Sequence, residues 1–75
     1  MKDRIKEVMK QVFQMDEIHD DISQLNCEKW DSMKHLNLVV ELETEFDVDL
    51  EPEEIASLKN LEIIEKLMIE RMKNQ

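Results

Sequence analysis

The sequence predicts an all-α fold, and three features of its composition support this. Gly is absent and Pro52 is the only proline, so the glycine-dependent turns that close β-hairpins are not available. Glu, Leu, Met and Lys, which favour helices, are abundant. Alternation of β-branched and aromatic residues with polar ones, the pattern of a half-buried strand, is rare. The 75 residues are expected to form a single domain, residues 1–75.

Apolar spacing predicts three longer helices and one short third helix, which together form a small bundle. The first helix is predicted from Lys2 to Gln14, the second from Ser32 to Phe46, the third from Pro52 to Leu58, and the last from Leu61 onward. Pro52 suits the first turn of a helix because its fixed φ and missing N–H cost nothing there. Asn60 is the predicted N-cap of the last helix.

A long loop is predicted between the first two helices, from Met15 to Asp31. The helical period fails in this stretch, and Asp, Ser and Asn residues favour turns. Ile18, Ile22 and Leu25 are expected to anchor the loop beneath the helices. Long loops in small domains are often functional or are packed by their own side chains.

The second helix is apolar over a wider arc than a core-facing helix needs. Such a helix is either central or exposes part of its apolar surface to a partner. Most of the excess lies between Met33 and Val40. This part of the helix is therefore a predicted contact surface.

The net charge of the chain indicates which classes of partner it can bind. Nineteen acidic residues oppose ten basic ones, which gives a net charge of −9. Nucleic acids and anionic membranes would repel such a surface, whereas proteins with Lys and Arg patches would be attracted to it. No stretch is apolar for long enough to span a bilayer, and the N-terminus has no apolar signal core. We expect a monomer in the cytoplasm.

The chemistry is predicted to lie at Trp30-Asp31-Ser32-Met33, where the long loop meets the second helix. A hydroxyl at a helix N-terminus lies beside unpaired backbone N–H groups, which favour a phosphodiester. Asp31 is placed to help bind a divalent metal brought by a modifying enzyme. A purely structural explanation remains open, because Asp and Ser are also preferred N-caps, worth about 1 kcal/mol.

Enzymatic and metal-binding functions are not predicted. Cys27 lacks the partners of a catalytic thiol, and His35 near Ser32 lacks the oxyanion hole and pocket of a hydrolase. His35 is instead expected to face partners on the surface. The Asp-rich stretch from Asp47 resembles the start of a calcium-binding loop. However, that loop requires Gly where Pro52 stands and Glu where Leu58 stands.

The chain resembles the acyl carrier protein family along nearly its full length. Asp31-Ser32-Met33 resembles the family's Asp-Ser-Leu signature at the start of the second helix. The similarity continues through the apolar and acidic run 38–46, through Val48-Asp49-Leu50 and through Pro52-Glu53-Glu54-Ile55. The spacing of these segments matches the family pattern without a gap.

This resemblance implies a four-helix bundle of acyl carrier protein type that acts as a carrier and not as a catalyst. Phosphopantetheine from coenzyme A would be attached to Ser32 by a phosphopantetheinyl transferase (holo-synthase), with Asp31 beside it. The thiol of the arm would carry acyl or aminoacyl thioesters between enzymes of a biosynthetic pathway. Acyl-loading and acyl-processing enzymes with basic patches would contact Met33, Val39, Val40, Glu41 and Glu45. The residues implied to line a path for the carried chain are Leu38, Leu42, Phe46 and Ile64.

Four residues near Ser32 depart from the family pattern: Lys29, Trp30, Lys34 and His35. They favour a dedicated carrier of a polyketide, peptide or surface-polymer pathway over one of general fatty acid synthesis. The alternative hypothesis is a helical protein-interaction module without a prosthetic group, which uses the Met33–Val40 face. Only the carrier needs the Ser32 hydroxyl.

Overall fold

The computed structural model describes residues 1–73, and this part of the chain contains four α-helices. They are α1 (Lys2–Phe13), α2 (Ser32–Phe46), α3 (Pro52–Ser57) and α4 (Leu61–Lys73). The predicted all-α, four-helix fold is confirmed, and α2 begins and ends at the predicted residues. Helices α1 and α3 each end one residue earlier than predicted. No helix within residues 1–73 combines the length and apolarity that crossing a bilayer requires.

One apolar core holds the helices together. Helix α1 packs against both α2 and α4. It contributes five apolar residues at helical spacing to the core: Ile5, Val8, Met9, Val12 and Phe13. The core residues of α2 are Leu38, Val39, Leu42 and Phe46, and those of α4 are Leu61, Ile64 and Met68. The core therefore forms from residues at helical spacing, as the sequence predicts.

Helices α1 and α2 end without the glycine that usually occupies this place. Gln14 and Asp47 adopt the left-handed conformation there, with φ of 55° and 54°. Hydrogen bonds from the next residue offset part of the conformational cost of this geometry. The Met15 N–H donates to Lys10 O and the Val48 N–H donates to Glu43 O, each at 3.1 Å. These are the bonds of Schellman-type caps. Val48 is also buried, so each turn is fixed by hydrogen bonds and, at α2, by apolar packing.

The long loop is anchored by buried side chains, but not by all those predicted. Ile18 and Ile22 are buried, as expected. Leu25 is fully exposed, which corrects the prediction for this residue. The reason is a tight turn: the Asn26 N–H donates to Ser23 O, and the Asn26 carboxamide accepts from the Ser23 N–H. Leu25 lies at the tip of that turn and projects away from the core.

Backbone pairing and an ion pair fix the middle of the loop. Ser23 forms an isolated antiparallel bridge with Asn60, in which Gln24 N donates to Lys59 O at 3.0 Å. Lys6 of α1 pairs with Asp20 of the loop. Asn60 also accepts from Ile63 N at 2.8 Å, which confirms it as the N-cap of α4. The loop is thereby attached to both α1 and the start of α4.

The different burial of two leucines on α2 predicts that their substitution by alanine lowers the free energy of unfolding by different amounts. Leu42 is fully buried and Leu36 is exposed. Leu42→Ala should lower the free energy of unfolding by about 2–5 kcal/mol, because it removes packed methyl groups and leaves a cavity. Leu36→Ala, the matched control, should change it by less than about 0.5 kcal/mol. Urea unfolding measures both values, and equal losses would contradict this orientation of α2.

The Lys6–Asp20 pair predicts a pH-dependent contribution to stability. The hydrogen bond from Lys6 lowers the pKa of the Asp20 carboxyl below its ordinary value of 3.8. The pair therefore stabilises the fold above that value and stops doing so as the pH falls through the lowered pKa. Asp20→Asn should lower Tm slightly at neutral pH, and this loss should shrink progressively as the pH falls below 3.8. Asp21→Asn is the control, and an equal loss of Tm in that variant would argue against the pair.

Candidate functional site

Ser32 is the first residue of α2, and its side chain is exposed. The preceding residue, Asp31, is the N-cap: its Oδ1 accepts from the Lys34 N–H at 2.8 Å. The Asp31 carbonyl accepts from the His35 N–H, also at 2.8 Å, and so begins the helix. Because Asp31 makes the cap, the structural role of the Asp-Ser pair does not use the Ser32 hydroxyl.

The first turn of α2 is electrostatically suited to an anion. The backbone N–H groups of Ser32 and Met33 precede the first intrahelical bond, and the positive end of the helix dipole lies with them. Among the described residues, the first helical turn itself contains Lys34 and no acidic side chain, but the carboxylate of the N-cap Asp31 also lies at this end of the helix. A negative group attached to Ser32 would therefore be favoured by the helix end and by Lys34, and opposed by the Asp31 carboxylate.

Trp30 and His35 form a hydrogen-bonded junction directly beside Ser32. The buried Trp30 indole donates through Nε1 to His35 Nδ1 at 3.0 Å. Because an indole N–H only donates, Nδ1 must accept, and the imidazole proton lies on Nε2. Nε2 then donates to the Ile55 carbonyl at 2.8 Å. We call these three residues the His35 junction; it joins the long loop, α2 and α3.

Ring packing reinforces the junction. Trp30 contacts Phe13 of α1 with ring centroids 5.4 Å apart, and it stacks on His35 at 6.2 Å. His35 is consequently half-buried, with both ring nitrogens bonded. This corrects the prediction that His35 faces partners on the surface. The bulky Trp30, a departure from the family pattern, is the residue that makes the contact possible.

An open groove runs beside Ser32 and has a volume of about 500 Å³. Its lining residues are Gln24, Trp30, Asp31, Ser32, His35 and Leu36. The groove therefore brings together the exposed hydroxyl, polar side chains and an exposed leucine. Sequence reasoning did not single out Gln24, because only the fold of the long loop brings it to this place.

A second depression lies beside Cys27, in the long loop. Cys27 is half-buried, and its thiol lies 4.0 Å from the Met15 sulfur. It lines this depression, which has a volume of about 420 Å³, together with the apolar Met15 and Ile22 and with polar residues that include His19 and Asp21. Among residues 1–73, no group of His, Cys, Asp or Glu side chains is arranged to hold a metal ion.

The apolar residues of α2 that do not enter the core lie along one exposed side of the helix. Met33, Leu36 and Val40 are 76%, 60% and 57% exposed, and their spacing places them along one side of the helix. We call them the exposed α2 face. Val39, predicted as a contact, is only 4% exposed because it faces the core, which corrects the prediction for this residue. Leu36, which lies within the predicted Met33–Val40 contact surface, is exposed there.

The two acidic contact candidates of α2 differ in their surroundings. Glu41 is exposed. Glu45 accepts from the Arg4 guanidinium at 3.1 Å, and Arg4 also donates to the Glu45 carbonyl at 3.0 Å. Arg4 lies over the Phe46 ring, 4.5 Å from its centroid. Arg4 of α1 therefore already offsets the charge of Glu45, whereas Glu41 keeps its charge for a partner.

Comparison with known proteins identifies the architecture. No protein-family model matches the chain, and a search of curated proteins finds no match. Among solved structures, the chain is similar to a holo acyl carrier protein from Geobacter metallireducens. The two share 28% sequence identity and superpose with a TM-score of 0.87, over 97% of this chain and 86% of the other. The predicted resemblance to the acyl carrier protein family is confirmed.

The His35 junction predicts coupled losses of stability. His35→Ala leaves the buried indole N–H of Trp30 without an acceptor, which should cost about 1–3 kcal/mol of unfolding free energy. Trp30→Phe removes the donor and part of the ring packing. In a double-mutant cycle the two changes should be non-additive by about 1 kcal/mol, as expected for directly bonded residues.

Urea unfolding of the two single variants and the double variant measures this coupling. His19→Ala, in the exposed part of the loop, is the control and should leave the unfolding free energy nearly unchanged. Additivity of His35→Ala and Trp30→Phe to within about 0.3–0.5 kcal/mol would contradict the bond between them.

Proposed function

We propose that this chain, which has the fold of an acyl carrier protein, carries phosphopantetheine on Ser32 and presents acyl or aminoacyl thioesters to the enzymes of a biosynthetic pathway. The observation that carries the proposal is the exposed Ser32 hydroxyl at the first residue of α2, outside the Asp31 cap. The similarity to a holo acyl carrier protein supports it, because the holo form of such a protein bears this group.

The residues around Ser32 fit the attached group. A phosphodiester at Ser32 would lie beside the first-turn N–H groups of α2 and the positive end of its dipole. Lys34 adds a positive side chain to the same turn, and the acidic side chain at this end of the helix is that of the N-cap, Asp31. The hydroxyl is on the surface, where the active site of another enzyme can reach it. Once attached, the arm supplies a thiol that forms thioesters.

Attachment is a phosphoryl-group transfer to Ser32. The Ser32 Oγ forms a bond to the phosphorus that bears the pantetheine part of coenzyme A. The pyrophosphate bond of coenzyme A breaks, adenosine bisphosphate leaves, and the serine proton passes to a base of the transferase. Asp31 is proposed to help bind the metal that the transferase brings. Its Oδ1 caps α2, so this role falls to the other carboxylate oxygen.

The exposed α2 face is the proposed docking surface for the transferase and for acyl-loading and acyl-processing enzymes. Met33, Leu36 and Val40 would fill an apolar pocket of the partner. Glu41 would pair with the basic patch around that pocket, and the net charge of −9 would steer the encounter. Glu45 would contribute by exchanging Arg4 for a basic side chain of the partner.

We further propose a path for the carried chain and a dedicated biosynthetic pathway for the carrier. Leu38, Leu42, Phe46 and Ile64, proposed to line the path of the carried chain, are buried together in the core. A chain that enters the bundle must therefore displace side chains that are now packed. Lys29, Trp30 and Lys34 favour a dedicated carrier with its own loading enzyme. We place it in the cytoplasm as a monomer, and the free thiol of Cys27 suits a reducing compartment.

Modification of Ser32 is tested by intact-mass measurement. The purified protein is incubated with coenzyme A, magnesium and a broad-specificity phosphopantetheinyl transferase. A gain of one phosphopantetheinyl group is expected, and Ser32→Ala should abolish it completely because no other hydroxyl lies at this helix start. Ser57→Ala is the matched control, since it removes another exposed serine and should be modified as the wild type is.

Two results would count against this assignment. Modification of Ser32→Ala would show that another residue bears the arm. No gain in wild-type mass with several transferases would favour the alternative, an interaction module that uses the exposed α2 face without a prosthetic group. Circular dichroism of both serine variants checks that they are folded, so that a lost gain in mass reports on the hydroxyl.

A further inference from the structure

We propose that the groove beside Ser32 is a resting site for the phosphopantetheine arm, in which Gln24 binds an amide of the arm and Leu36 packs against its apolar part. The inference rests on the proposed function and adds a place for the arm on the surface of the carrier itself. It is carried by two features of the groove: an acceptor shared by two donors, and an exposed leucine one helical turn beyond Ser32.

The shared acceptor is His35 Nδ1. Trp30 Nε1 approaches it at 3.0 Å and Gln24 Nε2 at 3.3 Å. A neutral imidazole nitrogen has one lone pair, so it accepts one good hydrogen bond at a time. Trp30 is buried and held by its ring contacts, whereas Gln24 is exposed. The bond to Gln24 is therefore the weaker one, and its carboxamide is free to turn toward another acceptor.

The arm offers the groups that this carboxamide can bind. After its phosphate, pantetheine contains a dimethyl-substituted carbon, a hydroxyl, two amides and a terminal thiol. A glutamine carboxamide both donates and accepts, so it pairs with either side of an amide. A carbonyl of the arm would give Gln24 Nε2 an acceptor that it does not have to share. The polar wall of the groove thus matches the arm in chemistry.

Leu36 supplies the apolar wall. It lies four residues after Ser32, on the same side of α2, and it is exposed. The dimethyl carbon of the arm, which is close to the phosphate, would remove part of this side chain from water. Because the arm is covalently attached, binding is intramolecular, and even weak contacts compete with the free state of the arm.

The resting site and the docking surface share one residue. Leu36 lines the groove and also belongs to the exposed α2 face. A partner that buries Leu36 removes the apolar wall from the arm. Docking therefore favours release of the arm into the partner, and in the absence of a partner the groove keeps the thiol near the carrier.

The reactivity of the arm thiol tests this inference. Holo proteins are prepared with a broad-specificity transferase, and mass measurement confirms their modification. The rate of reaction with an aromatic disulfide reagent is then measured, and the rate of the apo form, which reports Cys27, is subtracted. Gln24→Ala and Leu36→Ser should each raise the rate of the arm thiol roughly 2- to 10-fold, as expected when one contact of a bound state is lost.

Matched control variants show whether substitutions outside the groove also change the reaction rate of the arm thiol. Gln11→Ala removes an exposed glutamine of α1, and Ile69→Ser removes an exposed apolar side chain of α4; neither residue lines the groove. Both should leave the rate unchanged. The Gln24 side-chain amide signals should also shift between apo and holo protein in NMR spectra, while those of Gln11 should not.

The possible outcomes keep the two proposals apart. Equal thiol rates in wild-type, Gln24→Ala and Leu36→Ser holo proteins would overturn the resting site and leave the carrier function intact. Equal increases in the Ile69→Ser or Gln11→Ala controls would also overturn it. Absence of any mass gain in wild-type protein would instead contradict the carrier function, and the resting site with it.

Discussion

The hydrogen bond from the Trp30 indole to His35 is the contact on which the region around Ser32 depends. A buried indole N–H without an acceptor would destabilise the fold, so the ring of His35 must lie where it can accept. That requirement fixes the imidazole tautomer, which in turn directs Nε2 toward the Ile55 carbonyl. The end of the long loop, the start of α2 and the short α3 are thereby held in one arrangement. Ser32 occupies the outer side of this arrangement.

Helical periodicity predicted the elements well, because it depends on local spacing. Helix α2 begins at Ser32 and ends at Phe46 as expected, and Asn60 caps α4. The rotation of α2 was harder to predict, since its apolar arc is too wide to show which side meets α1. Val39 proved to be buried and Leu36 exposed, a distinction that depends on packing between helices. The role of His35 was not predictable either, because its partner Ile55 lies 20 residues away in the sequence.

Internal ion pairs change how the net charge of −9 is presented to a partner. Arg4 binds Glu45, Lys6 binds Asp20 and Arg71 lies near Glu54. Each pair connects one structural element to another. The cation of each pair offsets the charge of its own partner carboxylate and is not available to offset the charge of other acidic residues. On α2 the effect is local: Arg4 offsets Glu45, whereas Glu41, near the exposed apolar residues, keeps its charge. Recognition by a basic patch should therefore be concentrated closer to Ser32 than the count of acidic residues suggests.

Helix α2 separates stability from recognition within 15 residues. Leu38, Leu42 and Phe46 face the core, and the opposite side presents Met33, Leu36 and Val40. Exposed positions tolerate substitution at little cost in stability, so the contact surface can change to suit a dedicated partner while the core stays intact. Leu36 links this surface to the groove beside Ser32. A single side chain thus couples the docking of a partner to the position of whatever is attached to the serine, and the coupling requires no rearrangement of the bundle.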